Sequence, residues 1–257
     1  MKFILKTAVL AAVISIVCFR PSVPESYGAG STTISKETAQ AVSELEKLGV
    51  PLQKDPKGVV RWIESREGEL TDKALSLLPK LPNLEWLEIG NGIISPNGMK
   101  NLGKCSSLKR LYIYDIILKG ESLEWISGLP RLEALSLQRT QIDGTFLKYI
   151  KAKETLKVLN LSGNGITDDD MDAIAQLESL EVLALADTQI TGDGIRKLEG
   201  NRKLNEFNIS NCAVRDYDLT SFLSMPNLRI VYAEGCGISD MAIGNIIAQF
   251  PMLAIFR

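Results

Sequence analysis

The 257-residue sequence contains no histidine. That removes the side chain most often used as a general base and as a metal ligand near neutral pH. Its four cysteines form no C-x-x-C pair, so the spacing of a zinc site is missing as well. There is no Gly-rich phosphate loop and no nucleophile elbow, and the carboxylates are scattered along the chain. These absences argue against an enzyme, and no cofactor or metal is expected. Aromatic residues are scarce at 6% while hydrophobic residues reach 45%, so the core has to be aliphatic. Neither sign of charge is in excess. The formal net charge is -2, without the clustered Lys and Arg that phosphate backbones demand, which argues against nucleic acid as a partner. Long apolar runs are missing too: the run from Thr7 to Phe19 has 13 residues, short of the ~20 that a membrane helix needs.

What stands around that run has the layout of a secretory signal. Lys2 and Lys6 precede it, Arg20, Pro21 and Pro24 end it, and small residues place cleavage after Gly28 or Gly30. Two other readings stay open. Cys18 is a lipid-attachment candidate, although Val17 precedes it where a small residue is wanted, and an uncleaved segment would act as an anchor. The chain therefore divides into a signal region at 1–30, an amino-terminal helix and connector at 31–59, and a repeat domain at 60–257. The mature chain is expected to be exported, to carry no membrane span and to act as a monomer.

The repeat dominates what is present. A Leu-x-x-Leu-x-Leu frame starts at Val60, Leu84, Leu108, Leu132, Leu156, Leu180, Leu204 and Leu228, every 24 residues, with one added residue before a last start at Leu253. In LKVLNLSGNGITDDDMDAIAQLES (156–179) apolar residues recur first with period two and then with period three to four, which predicts a short strand followed by a helix. So small a unit cannot bury its own apolar face. It has to stack on its neighbours, which makes a solenoid with a continuous core.

The frame L-x-x-L-x-L-x-x-T/N/C-x-I-T-D resembles leucine-rich repeats, in particular the 24-residue bacterial kind that is similar to ribonuclease-inhibitor and F-box-associated repeats. The resemblance covers about residues 36–257. It includes AVSELEKLGVPLQKDPKGVVRWI, which looks like the helix and connector before the first coil of secreted bacterial members. It implies an α/β fold, a right-handed arc with a parallel sheet on its concave side and helices on its convex side. It also implies a binding module whose partner is a protein or a surface polymer. An intracellular substrate adaptor for ubiquitin ligation is the reading implied by the F-box likeness, and a hydrolase working through carboxylates such as Glu64 and Glu88 is a third.

Each repeat place has a physical task. The first, fourth and sixth places, such as Leu156, Leu159 and Leu161, face the core. Ile142, Ile166, Ile190 and Ile238 turn inward after the strand. Thr71-Asp72 and Thr167-Asp168 offer helix N-caps, and capping accounts for the run Asp168, Asp169, Asp170 and Asp172, which lacks the spacing of a calcium loop. The polar places Thr140, Asn164, Thr188, Cys212 and Cys236 must answer buried backbone groups. Cys212 and Cys236 are either two buried thiols or an oxidised pair, while Cys105 stands for a helix-side leucine. Second places alternate in sign from Arg61 through Glu85, Lys109, Glu133 and Lys157 to Glu181. The sequons at Asn160 and Asn208 fall on the concave strand face and are read as chance matches.

Recognition is expected at the third and fifth places, which point out of the sheet and are free of the scaffold. Trp62, Trp86 and Arg110 hold the third place, and Glu64, Glu88 and Tyr112 the fifth, of three successive coils. Aromatic residues with Arg are what binding hot spots use. Segment 36–58 folding over Trp62 as a cap is the alternative.

Overall fold

The computed structural model describes residues 34–118 and 123–257. The export signal expected at 1–30, with Cys18, lies outside the described residues.

The chain opens with helix α1 (Lys36–Lys47), whose Ser35 cap accepts from the Thr38 N–H at 3.1 Å. Ala41 and Leu45, four apart and so on one face, are buried in the core. The Thr38 hydroxyl donates to the Lys80 carbonyl at 3.0 Å and ties this helix to the first coil. Strand β1 (Leu52–Lys54) then runs antiparallel to β2 (Val60–Ser65), with Gln53 opposite Trp62. The connector thus extends the sheet at its edge.

From β2 onward every pairing is parallel and every neighbour in sequence is a neighbour in space. The strands are β3 (Trp86–Gly90), β4 (Arg110–Tyr114), β5 (Ala134–Gln138), β6 (Val158–Asn160), β7 (Val182–Ala184), β8 (Glu206–Asn208), β9 (Ile230–Tyr232) and β10 (Ala254–Phe256). Register partners differ by 24 residues throughout, as in Trp62 opposite Trp86 and Trp86 opposite Arg110. The last coil departs from the sequence reading. Ala254 pairs with Ile230, so the strand offset stays at 24 and the added residue does not shift the register. Leu253 still fills a core place just before that strand.

One aliphatic core runs the length of the stack. Leu156, Leu159, Leu161 and Leu185 have no exposed surface, and the convex residues Met171, Ile174, Leu177, Ile195 and Leu198 close it from the other side. The convex elements are shorter than the expected helices, and several are 3-10 turns: Glu124–Gly128, Gly144–Tyr149, Asp168–Asp170 and Asp216–Ser224. A 3-10 helix rises ~2.0 Å per residue against 1.5 Å for an α-helix, so it crosses the coil with fewer residues.

Polar ladders pin coil to coil. Asp72 accepts from the Ser95 N–H at 2.8 Å, Asp168 from Thr191 at 2.8 Å and Asp216 from Ser239 at 2.6 Å, each reaching from one coil to the cap of the next. Asp170 turns back to the Thr167 N–H at 2.9 Å, and Asp172 pairs with Lys197 at 2.8 Å. The acidic run therefore diverges to separate partners. At the inner ladder the Asn164 amide donates to the carbonyls of Leu137 at 2.6 Å and Leu161 at 2.9 Å. Cys212 and Cys236 are free thiols in equivalent positions, donating to the carbonyls of Leu185 and Ile209, each at 3.1 Å. Each thiol thus faces a backbone carbonyl of the preceding coil. Of the alternating second places, Arg61–Glu85 at 3.1 Å, Lys109–Glu85 at 3.3 Å and Lys157–Glu181 at 3.2 Å form ion pairs.

The eighth place carries a ladder that the sequence reading passed over. Asn91, Asp115, Arg139, Gly163, Asp187, Asn211 and Gly235 all have left-handed backbone, with φ between 52° and 73°. Here the chain turns out of the sheet, and Gly, Asn and Asp tolerate that conformation best. Arg139 is the exception, and its guanidinium is bound to Asp115 through two hydrogen bonds of 2.6 and 2.7 Å.

Candidate binding surface

The strand register brings the six expected residues together on β2, β3 and β4. Trp62, Trp86 and Arg110 form one row, and Glu64, Glu88 and Tyr112 the next. Their exposure differs from the expectation. Trp62, Glu64 and Arg110 are partly exposed, whereas Trp86, Glu88 and Tyr112 are buried, at 4%, 2% and 7%. Side chains on adjacent strands stand only ~4.8 Å apart, so large neighbours cover one another. Trp86 and Tyr112 meet edge to face with centroids 5.9 Å apart, and Trp62, Ala134 and Val158 complete a second apolar cluster separate from the main core.

Glu88 is held from two sides. Arg66 Nε approaches it at 2.8 Å, and the Tyr114 hydroxyl donates to it at 3.1 Å. The same guanidinium lies 3.6 Å from Glu64, and its hydrogen bond to Glu88 is the main cause that raises its already high pKa. Burial, reinforced by Glu88, pushes the Tyr114 phenol upward, and burial does the same to Tyr112. Gly90 makes this arrangement possible, because a Cβ there would overlap the Tyr114 ring. One arginine thus bridges two carboxylates and holds Glu88 in place, with its charge only partly offsetting theirs.

One polar group in the cluster has no partner. The Trp86 indole Nε1 is buried without an acceptor, at a cost of about 1–3 kcal/mol. The premise that the outward places are free of structural duty is thus corrected for Trp86, Glu88 and Tyr112. They form a fixed base beneath the partly exposed Trp62, Glu64 and Arg110.

A second feature of the concave side lies across β5 to β10. A groove of about 240 Å³ is lined by residues including Asn160, Ser162, Asn208, Ser210, Tyr232 and Phe256. Its residues come from the fifth, seventh and eighth places of several coils, so no single repeat displays it. The two asparagines of the sequons share one local task there. Asn160 Oδ1 accepts from the Ser162 N–H and Asn208 Oδ1 from the Ser210 N–H, both at 3.0 Å.

Among the described residues no helix is long and apolar enough to cross a membrane. Residues 154–214 match the family model of the leucine rich repeat. No curated protein matches the chain in sequence at a significant level. Among solved structures, internalin C2 of Listeria monocytogenes is 21% identical with a TM-score of 0.57, over 86% of this chain and 91% of that one. An internalin, inlF, of the same organism is 17% identical with a TM-score of 0.51, over 70% of this chain. A TLR13–ssRNA13 complex gives 28% identity and a TM-score of 0.51 over 68% of this chain. The chain spans 56% of that inlF chain and 25% of the TLR13 chain. Repeat spacing, sheet topology and these likenesses agree that the fold is a leucine-rich repeat solenoid.

Proposed function

We propose that the chain is an exported, non-catalytic module that binds a protein partner on the amino-terminal part of its concave sheet. Trp62, Glu64 and Arg110 make the contact, and Trp86, Glu88 and Tyr112 form the rigid base beneath them. The observation that carries this reading is the Trp86 indole N–H, buried without an acceptor in an aromatic cluster outside the main core. Native proteins satisfy nearly all such donors, and departures from that rule gather at functional sites. A fixed base also lowers the entropy lost when a partner docks, which favours affinity. Export rests on Lys2, Lys6, the Thr7–Phe19 run and the small residues around Gly28 and Gly30.

Two measurements test the two halves. Mass spectrometry of the natural protein should find a mature chain beginning between Ala29 and Ser31, and an intact Met1 on cytosolic material would contradict export. For binding, the partner captured from the envelope fraction should be titrated with the parent and with Trp62→Ala/Arg110→Ala. The variant should lose at least about tenfold in affinity and keep its melting temperature. Equal affinity would place recognition elsewhere.

A further inference from the structure

The carboxy-terminal concave groove has a chemistry of its own, and we infer that it is a binding site for a neutral oligosaccharide. Three features converge on that class. The first is the hydrogen-bonding set. The carbonyl oxygens of Asn160 and Asn208 are committed to the backbone of Ser162 and Ser210, which fixes the amide planes and leaves their NH₂ groups as donors. Ser162 and Ser210 also line the groove, Ser162 buried with Asn160, and Ser210 half-buried beside Asn208. Fixed donors and acceptors at short intervals suit a ligand covered in hydroxyls.

The second feature is the aromatic end. Tyr232 and Phe256 stack with centroids 5.4 Å apart and planes at 22°, on the two strands that close the sheet, with Phe256 39% exposed. Flat aromatic surface beside amides accommodates the C–H face of a sugar ring while the amides take its edge. The floor between the two ends is Ala184 and Ala186, both buried, so no deep apolar hole is available for the anchoring side chain of a peptide.

The third is charge. Arg139 lines the groove but is bound to Asp115, whereas Asp187 and Glu234 contribute acidic oxygens. Asp187 takes a hydrogen bond from Asn211 at 2.8 Å, which orients it, and shares the Arg139 charge with Asp115, so the carboxylates Asp115, Asp187 and Glu234 outnumber the one guanidinium. A lining of this sign repels phosphate, sulfate and uronate groups. Among sugars it favours the neutral ones over the anionic.

Immobilised cellohexaose, maltohexaose and chitohexaose are the probes, with heparin and hexalysine as charged comparisons, against the full chain. The inference expects at least one of the three neutral hexasaccharides to be bound. Its affinity should fall at least tenfold in Asn208→Ala and in Ala186→Leu. The second variant fills the groove and removes no polar partner, so it keeps the test valid if loss of the Asn208 turn disturbs folding. Binding of none of the three at millimolar concentration, equal binding by both folded variants, or preference for heparin or hexalysine would overturn it. Failure here leaves the amino-terminal surface standing, because that surface is read at Trp62 on other strands.

Discussion

The rings of Trp86 and Tyr112 meet edge to face, with centroids 5.9 Å apart and planes at 79°, on neighbouring strands of the concave sheet. Such a pair adds ~0.5–1.5 kcal/mol beyond its burial, so Trp86 supports the fold as well as the surface. Trp86→Ala should lower stability by about 3–5 kcal/mol. Trp86→Phe keeps the ring contact and removes the indole donor that lacks an acceptor, so it should melt within ~4 °C of the parent. Denaturant titration of the two variants checks this. A Trp86→Ala protein as stable as the parent would show that the cluster is not packed as described.

Leu161 and Leu185 occupy the same core place in adjacent coils, and neither has exposed surface. Leu161→Ala should therefore cost roughly 2–5 kcal/mol. Hydrogen exchange should speed up in the flanking coils too, because each coil is stable only against its neighbours. Exchange confined to one coil would contradict the continuous core.

Two glycines on the convex side should respond with opposite signs. A Cβ on Gly192 would overlap the buried Asp218 carboxylate, which accepts from the Arg215 N–H at 3.0 Å and from Arg196 at 3.2 Å. Gly192→Ala should destabilise by about 1–3 kcal/mol. Gly244 lies in the helix Asp240–Gln249 with nothing near its missing Cβ, so Gly244→Ala should stabilise by up to ~1 kcal/mol. Thermal melts of both decide the point, and equal shifts would contradict the interlocking of Asp218 with Gly192.

Alkaline pH should weaken the fold through its buried neutral groups. Burial pushes the Cys105 thiol up to about 12 and raises the phenols of Tyr112 and Tyr114. A raised folded pKa gives stability that is whole below the unfolded value, about 8.5 for Cys and 10 for Tyr, and is lost as pH climbs through the folded value. The unfolding midpoint should thus decline from about pH 9 upward. The Cys105→Ala/Tyr114→Phe variant should show a shallower decline. An unchanged slope would remove these groups as its cause.

The spacing of the leucines was enough to place the parallel strands from β2 to β9, because a short repeat fixes its register against the next copy. The frame started at Leu253 put the last strand one residue off, since Ala254 and not Ile255 pairs with Ile230. The exposure of the outward places was not legible. Whether Trp86 lies open depends on Tyr112 one strand away, and Glu88 is held by Arg66, which sits beyond its own strand on the preceding coil. The left-handed ladder was written in Asn91, Asp115, Gly163, Asp187, Asn211 and Gly235, but Arg139 in its midst masked the pattern. The carboxy-terminal groove escaped for a related reason. Its residues come from different places of several coils and meet only once the sheet is stacked.

The central claim is that a partner meets the concave sheet at Trp62. Photo-crosslinking in the producing cell tests it most directly, with a benzoyl-phenylalanine substituted either at Trp62 or at Lys148, which is exposed on the convex turn Gly144–Tyr149. The Trp62 position should give one discrete crosslinked protein that the Lys148 position does not give. Equal products from both positions, or products from Lys148 alone, would contradict a concave binding surface.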